Sequence, residues 1–324
     1  MLNSTSVVLA NLTSVAIIVF ILGFLAARIR SDVRIPDAIY QMISIFLLFG
    51  IGLKGGHSLK TVSPQSVLAP GIITILLGIT IPCLAYFSLK WVKALSDVDR
   101  GAFAAHYGST SLVTFSAALL LLENSGIKVE GYVTALLTIL EIPGIIVGIF
   151  LGSRKVNAHV SWGQTLHEVL TGKTILLLVG GLLAGVITNA AGYKKVAPFF
   201  IDLQGGFLTL FLLHLGYTAG SNLTQLRKVG PSLLTFATLF PLVSGILGVV
   251  AGHYVGMSTG GSTMLGVLCA SASYIAAPAA VSIGLPGANA SMALISSIGI
   301  TFPFNLVVGI PMYFEVARRL TGKL

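Results

Sequence analysis

Residues 101–122, GAFAAHYGSTSLVTFSAALLLL, contain no Asp, Glu, Lys or Arg. A helix that spans a bilayer needs about 20 such residues, so this stretch predicts a transmembrane helix. Its middle, however, carries a glycine and three hydroxyl groups in Gly108-Ser109-Thr110-Ser111. A continuous membrane helix has little reason to concentrate polar groups at its centre. We therefore expect a broken helix here, in which free backbone groups face an internal cavity.

Charged residues are scarce along the whole chain. The 324 residues contain 19 Lys+Arg and 10 Asp+Glu, so only 9% are charged, and 55% are hydrophobic. Ordinary globular domains carry about 25% charged residues, and this composition excludes a soluble enzyme. The net charge of +9 does not indicate a nucleic-acid partner, because the cations lie mostly between apolar runs. Cys83 and Cys269 show no metal-binding spacing, and we expect no cofactor.

Ten apolar segments follow one another with short joints between them. They cover 7–27, 37–53, 65–89, 101–122, 131–151, 172–191, 198–219, 231–255, 262–284 and 290–314. The pattern predicts an all-α polytopic membrane protein with ten transmembrane helices, embedded in the lipid bilayer. We divide it into a first five-helix repeat over 1–151, a short cytoplasmic connector over 152–171 and a second repeat over 172–324.

The two halves resemble each other at four places in the same order, two of them at an offset of 164 residues and the others, Pro64 with Pro231 and Pro143 with Pro303, close to it. Lys54, in a glycine-rich run, lies opposite Thr218, and the polar run at 105–109 lies opposite 269–273. Because each half has an odd number of spans, the second must enter the membrane from the other side. The sequence therefore predicts inverted repeats, with helices four and nine broken, as in many secondary transporters.

Lys and Arg residues are distributed unequally between the two sides of this topology. Eleven lie on the side of the central connector and eight on the opposite side. The positive-inside rule then places the connector in the cytoplasm and both termini outside. We expect a multi-pass protein of the inner (plasma) membrane.

The polar centres of helices four and nine are the candidate anion site. Free N–H groups and the positive end of a half-helix can hold an anion, and hydroxyls complete its shell. The alternative is close helix packing through small residues. The candidate substrate-binding residues are Gly108, Ser109, Thr110, Ser111, Ser271, Ala272 and Ser273.

Glu141 is the one carboxylate deep within an apolar segment. A charge there is costly, so it should face a cation, a cavity or a partner. We predict that Glu141 binds sodium, with Thr114 and Asn305 as further oxygen ligands. The alternative is a protonated glutamate that makes a structural hydrogen bond. We interpret Lys54, at the end of span two, as a side chain that extends to the membrane interface.

In these motifs the chain resembles the sodium-dependent bicarbonate transporters of the SbtA type and their bacterial relatives. The resemblance rests on runs 52–56, 106–111, 141–143 and 271–278, together with 285–289. It implies two inverted sets of five helices, a core domain that moves against a gate domain, a homotrimer, and inward sodium-driven bicarbonate transport. Some relatives bind a PII-like cytoplasmic regulator. This chain departs from the cyanobacterial pattern at Tyr274 and at Glu141, where those proteins tend to have Asp.

We therefore expect a sodium-coupled symporter of bicarbonate or a similarly small monovalent anion, working by elevator-like alternating access. An anion that enters against a negative-inside potential is opposed by about 2.3 kcal/mol per 100 mV, and a co-bound cation removes that opposition. One alternative is a cation/proton antiporter with Glu141 as carrier. Another is a membrane scaffold or receptor for a cytoplasmic regulator. The sequence contains no catalytic pattern such as HExxH, so we do not expect an enzyme.

Overall fold

A computed structural model describes residues 13–154, 161–223 and 230–322, and within these ranges the chain is helical and has no β-strand. The first six residues of the predicted span 7–27 and residues 155–160 of the connector lie outside the described residues. The helices are α1 Val15–Arg28, α2 Asp37–Leu59, α3 Pro64–Ser88, α4 Asp97–Gly108, α5 Leu112–Asn124, α6 Val133–Ser153, α7 Trp162–Thr171, α8 Lys173–Ile187, α9 Ala190–Ser221, α10 Gly230–Tyr254, α11 Thr259–Ala270, α12 Ala276–Gly284 and α13 Ala290–Leu320.

Seven helical stretches are long and apolar enough to cross a bilayer. They are α2, Pro64–Trp91, Asp97–Asn124 (α4 with α5), α6, α9, α10 and α13. The pair α7 and α8, bent by 48°, brings the number to eight if it counts as one span. The described part of α1 and helix α11 are shorter than the roughly 20 residues that a span needs. Ten separate long helices are thus not found among the described residues.

The local sequence explains where several helices begin. Ser96 and Asp99 form a reciprocal capping box at the start of α4, each side chain bonded to the backbone N–H of the other at 3.1 Å. Ser111 and Ser258 cap α5 and α11 with a single hydrogen bond each, in which the serine hydroxyl oxygen accepts from a first-turn N–H. These caps satisfy backbone donors that have no partner within the helix.

Four helices form two close pairs that each combine one helix from either half of the chain. Helix α1 packs on α9, where Gly23 lies directly on the backbone at Leu213. Helix α2 packs on α8, where Gly52 lies against Gly181. Such small residues let helix backbones approach closely in a membrane. We refer to α1, α2, α8 and α9 as the paired helices.

The other helices apart from α7 form a second group, the crossing bundle, made of α3–α6 and α10–α13. Within it, α6 packs antiparallel on α4 through three glycines that are spaced four residues apart. Gly152 lies on Gly101, Gly148 on Ala105, and Gly144 on the carbonyl of Gly108. The corresponding contacts in the second half join α10, α11 and the end of α13. The first broken helix, α4 with α5, is almost entirely buried in this bundle, and α11 is buried from Gly260 to Ala270.

Gly144→Ala should destabilise the protein, because a methyl group at that position would overlap the Gly108 carbonyl oxygen, which is backbone and cannot rotate away. We expect a loss of about 1–3 kcal/mol, typical of overpacking. The measurement is thermal unfolding of the purified protein in detergent. Gly180→Ala is the control, since no atom lies within 4 Å of a methyl group there. Equal melting temperatures for the two variants would contradict the packing described.

Candidate functional site

Two helix breaks meet inside the crossing bundle. Helix α4 ends at Gly108 and α5 begins at Leu112, whereas α11 ends at Ala270 and α12 begins at Ala276. The backbone is extended where each break begins, at Ser109 and at Ser271. Both interruptions lie where the sequence predicted broken helices, within segments four and nine.

Direct hydrogen bonds hold the two breaks side by side. The Ser273 N–H donates to the His106 carbonyl at 2.7 Å, and His106 Nδ1 lies 2.7 Å from the Ser273 carbonyl. Because a carbonyl only accepts, Nδ1 carries the proton of this bond. The Ser111 N–H donates to Ser271 Oγ at 2.9 Å. The structure thus brings the two predicted anion-binding runs together, and His106 joins them, a role that the sequence motif did not reveal.

Two hydroxyl groups at the crossing are fully used within the protein. Ser111 Oγ accepts from the N–H and the hydroxyl of Thr114, at 3.2 and 3.0 Å, and donates to Tyr274 Oη at 3.1 Å. Ser271 Oγ donates to the Leu268 carbonyl at 2.9 Å while accepting from Ser111. Both side chains therefore shape the site rather than offer a free group to a ligand. Tyr274, noted in the sequence only as a departure, is part of this network.

Ser109 and Thr110 provide the free hydroxyls. The two residues are 1% and 3% exposed, and neither Ser109 Oγ nor Thr110 Oγ1 has a hydrogen-bond partner among the residues that the structure describes. Proteins leave few buried polar atoms unpartnered, because each costs about 1–3 kcal/mol. Two adjacent ones at the centre of a helix break are suited to a small polar ligand.

The electrostatics of the crossing favour an anion at one side and a cation at the other. Helices α5 and α12 begin here, so their positive ends point into the crossing. Helices α4 and α11 end here and present carbonyl oxygens. Residues 101–122 supply no charged side chain. Anion binding would thus rest on N–H groups and hydroxyls alone, as the sequence predicted.

Glu141 lies on the face of α6 that contacts the broken helix. Gly144, one turn further along, touches the Gly108 carbonyl and the Ser109 nitrogen. Glu141 is 2% exposed, and its Oε2 has no hydrogen-bond partner in the described part of the chain. Thr138, one turn before it on the same face, also has a buried hydroxyl that no described residue bonds. Thr138 is a candidate cation ligand that the sequence analysis missed, although its spacing of three residues from Glu141 could have indicated it.

The other two predicted cation ligands already have partners. Asn305 donates through Nδ2 to the Ala270 carbonyl at 2.7 Å, and its Oδ1 accepts from Tyr313 Oη at 3.1 Å. Asn305 thereby holds the end of α11 beside the second break. Thr114 donates its hydroxyl to Ser111. A cation at either oxygen would share it with these existing bonds.

Ser109→Ala combined with Thr110→Val should abolish stabilisation by a bound anion without weakening the unliganded fold, because neither hydroxyl has a partner to lose. A hydrogen bond to a charged ligand is worth about 1.5–3 kcal/mol, a factor of roughly ten or more in affinity. The measurement is the shift of the melting temperature on adding bicarbonate with sodium. Ser244→Ala is the control, since that hydroxyl bonds only the Phe240 and Pro241 carbonyls of its own helix. An unchanged bicarbonate-induced shift would remove the two hydroxyls from the site.

Comparison with known proteins identifies the family. No curated protein gives a significant match to the chain. A family model, that of the Na+-dependent bicarbonate transporter superfamily, matches residues 16–318. This range includes both helix breaks, Glu141 and every helix of the crossing bundle. The chain therefore belongs to the Na+-dependent bicarbonate transporter superfamily.

Proposed function

We propose that the protein is a sodium-coupled symporter of bicarbonate or a similarly small monovalent anion. The observation that carries the proposal is the pair of buried, unpartnered hydroxyls of Ser109 and Thr110 between the positive ends of α5 and α12. A planar oxyanion accepts several hydrogen bonds at once, which this arrangement can supply. Family membership supports the same substrate and ion.

Sodium binds, in this proposal, near Glu141. Its buried carboxylate oxygen without a partner and the neighbouring Thr138 hydroxyl supply hard oxygen ligands. Carbonyl oxygens at the end of α4 lie one turn away along α6. Opposite charges bound this close attract strongly in a low-dielectric interior, so each ion raises the affinity for the other. A neutral ion pair also crosses the membrane without opposition from the membrane potential.

The transport cycle rests on two inverted five-helix repeats, residues 1–151 and 172–324, joined by the connector 152–171. Two observations support this arrangement. In the proposed repeats α8 corresponds to α1, and α9 corresponds to α2. The contact between α1 and α9 therefore has the contact between α8 and α2 as its counterpart, and both contacts are present. Counting α1, the bent pair α7–α8 and the broken pair α11–α12 as spans raises the seven long helices to ten. The crossing bundle would then slide against the paired helices as an elevator.

The membrane placement follows from the charges. The protein would lie in the inner (plasma) membrane with its connector in the cytoplasm and both termini outside, as the Lys and Arg distribution indicates. Four of the cations on which this orientation rests lie outside the described residues, namely Lys155, Arg227, Lys228 and Lys323. The family resemblance further suggests a homotrimer, and it leaves a PII-like regulator as a possible cytoplasmic partner to test by pull-down.

Purified protein in liposomes should take up labelled bicarbonate only when sodium is higher outside than inside. Symport requires both ions to occupy the crossing before it moves. The assay is run at alkaline pH, where little CO2 leaks through lipid, with a potassium gradient of equal size as the control. Uptake that is indifferent to sodium would overturn the proposal. Lumenal pH changes on adding sodium without bicarbonate would instead favour the cation/proton antiporter.

Glu141→Gln should raise the sodium concentration needed for half-maximal uptake by roughly tenfold or more, since the cation loses its charged ligand, worth at least about 1.4 kcal/mol. Apparent bicarbonate affinity at saturating sodium should change much less. Both constants come from the same liposome assay. Glu168→Gln, which removes a carboxylate on α7 outside the crossing, is the matched control. A variant with the wild-type sodium response would exclude Glu141 from the cation site.

A further inference from the structure

A cavity with charged residues in its wall lies at the boundary between the paired helices and the crossing bundle, away from the two helix breaks. It has a volume of about 250 Å³, and its walls come from α2, α5 and α9. Among the described residues, Lys54 is the only cation that lines it, and Glu123 and Asp202 are the only acids. Charged side chains are rare in this chain, so three around one cavity indicate a role beyond packing.

The sequence predicted that Lys54 extends to the membrane interface. In the structure its side chain is instead held by an ion pair. Its Nζ lies 2.7 and 3.0 Å from the two carboxylate oxygens of Glu123. The two side chains remain 29% and 41% exposed, so water competes for the pair and the bond opens easily. Lys54 belongs to the paired helices and Glu123 to the crossing bundle. The ion pair therefore spans the boundary at which the two groups would move.

The cavity leads toward the anion site along α5. Ser116 lines it, five residues after the break residue Ser111 on the same helix. At a rise of about 1.5 Å per residue, this separation is roughly 8 Å. The Lys54 ammonium bonds Glu123, twelve residues after Ser111 on α5. An anion held beside Lys54 would thus travel about 18 Å along this helix, past Ser116, to reach the crossing.

The repeat provides an internal comparison for Lys54. Thr218 is its counterpart at the offset of 164, and it lines a cavity of about 150 Å³ between α9 and α13 whose described lining residues include no charged one. Gln204 in the first cavity and Thr218 in the second are 14 residues apart on α9. This corresponds to about 21 Å, so the cavities lie toward opposite membrane surfaces. Of the residues that the structure describes, only Lys54 places a cation in either wall.

We infer that Lys54 is an anion-capture residue at the outer mouth of the transport path, exchanging Glu123 for the incoming anion before it reaches Ser109 and Thr110. The inference rests on the proposed function. A cation beside a narrow polar cavity concentrates small anions and speeds their association. Glu123 holds the ammonium in place when no anion is present.

The test compares two variants that break the same ion pair from either side. Lys54→Gln should raise the KM for bicarbonate roughly three- to tenfold, because capture is lost, with little change in maximal rate. Glu123→Gln should lower this KM, because Lys54 is then free for the anion. If the pair were only a structural latch between α2 and α5, both variants would shift the KM in the same direction. Sodium-driven uptake in liposomes supplies both constants.

Three further measurements sharpen the comparison. Lys54→Arg should keep the wild-type KM, because it retains the charge. Lys128→Gln removes a cation predicted for the same side that does not line the cavity, and should leave the KM unchanged. Raising the ionic strength should increase the KM of the wild type more than that of Lys54→Gln, since screening weakens capture. If Lys54→Gln does not fold, Glu123→Gln still decides, because an increased KM there contradicts capture.

The two proposals can fail separately. Wild-type protein that shows no sodium-driven bicarbonate uptake would remove the proposed function and, with it, the capture role. Normal wild-type uptake, with Lys54→Gln and Glu123→Gln shifted alike or Lys54→Gln unchanged, would remove the capture role alone.

Discussion

A helix that is interrupted inside a membrane protein leaves N–H and C=O groups without intrahelical partners, each costing several kcal/mol in an apolar surrounding. Here the two breaks form hydrogen bonds with each other, which gives some of these backbone groups a partner. His106 accepts from the Ser273 N–H and donates to the Ser273 carbonyl, and Asn305 binds the last carbonyl of α11. Everything else at the site depends on this exchange, because it sets two positive helix ends face to face and leaves the hydroxyls of Ser109 and Thr110 without protein partners.

The glycines of α6 connect this crossing to its candidate cation site. Gly144 can lie on the Gly108 carbonyl only because it has no side chain, and the helical repeat then brings Glu141 to the face that looks at the break. The candidate anion and cation sites become neighbours as a result of this one close helix contact. The proposed coupling between sodium and bicarbonate is thus a consequence of packing, since two opposite charges near each other in a medium of low dielectric stabilise each other.

Much of this architecture could be predicted from local sequence. Apolar runs predicted helices throughout, and the run at 108–111 predicted the break, because hydropathy and the shortage of charge are properties of single segments. The number of long spans was less predictable, since α11 is ended by the break itself and α7 continues into α8 after a bend. Partners were harder still. Lys54 was interpreted as an interfacial side chain, although it pairs with Glu123, 69 residues away.

By itself, then, the sequence determined that this is a helical membrane protein with polar breaks in its fourth and ninth apolar segments and a single acid deep within an apolar run. Which of the polar groups form hydrogen bonds within the protein, and which have no partner there, became visible from the packing of the helices. Ser111, Ser271 and Ser109 are the same residue type in similar runs, yet the first two are bonded and the third is not. The physical reason is that the length of an apolar run decides by itself whether one segment can span a membrane. The hydrogen-bond partner of a buried hydroxyl depends instead on which helices come into contact.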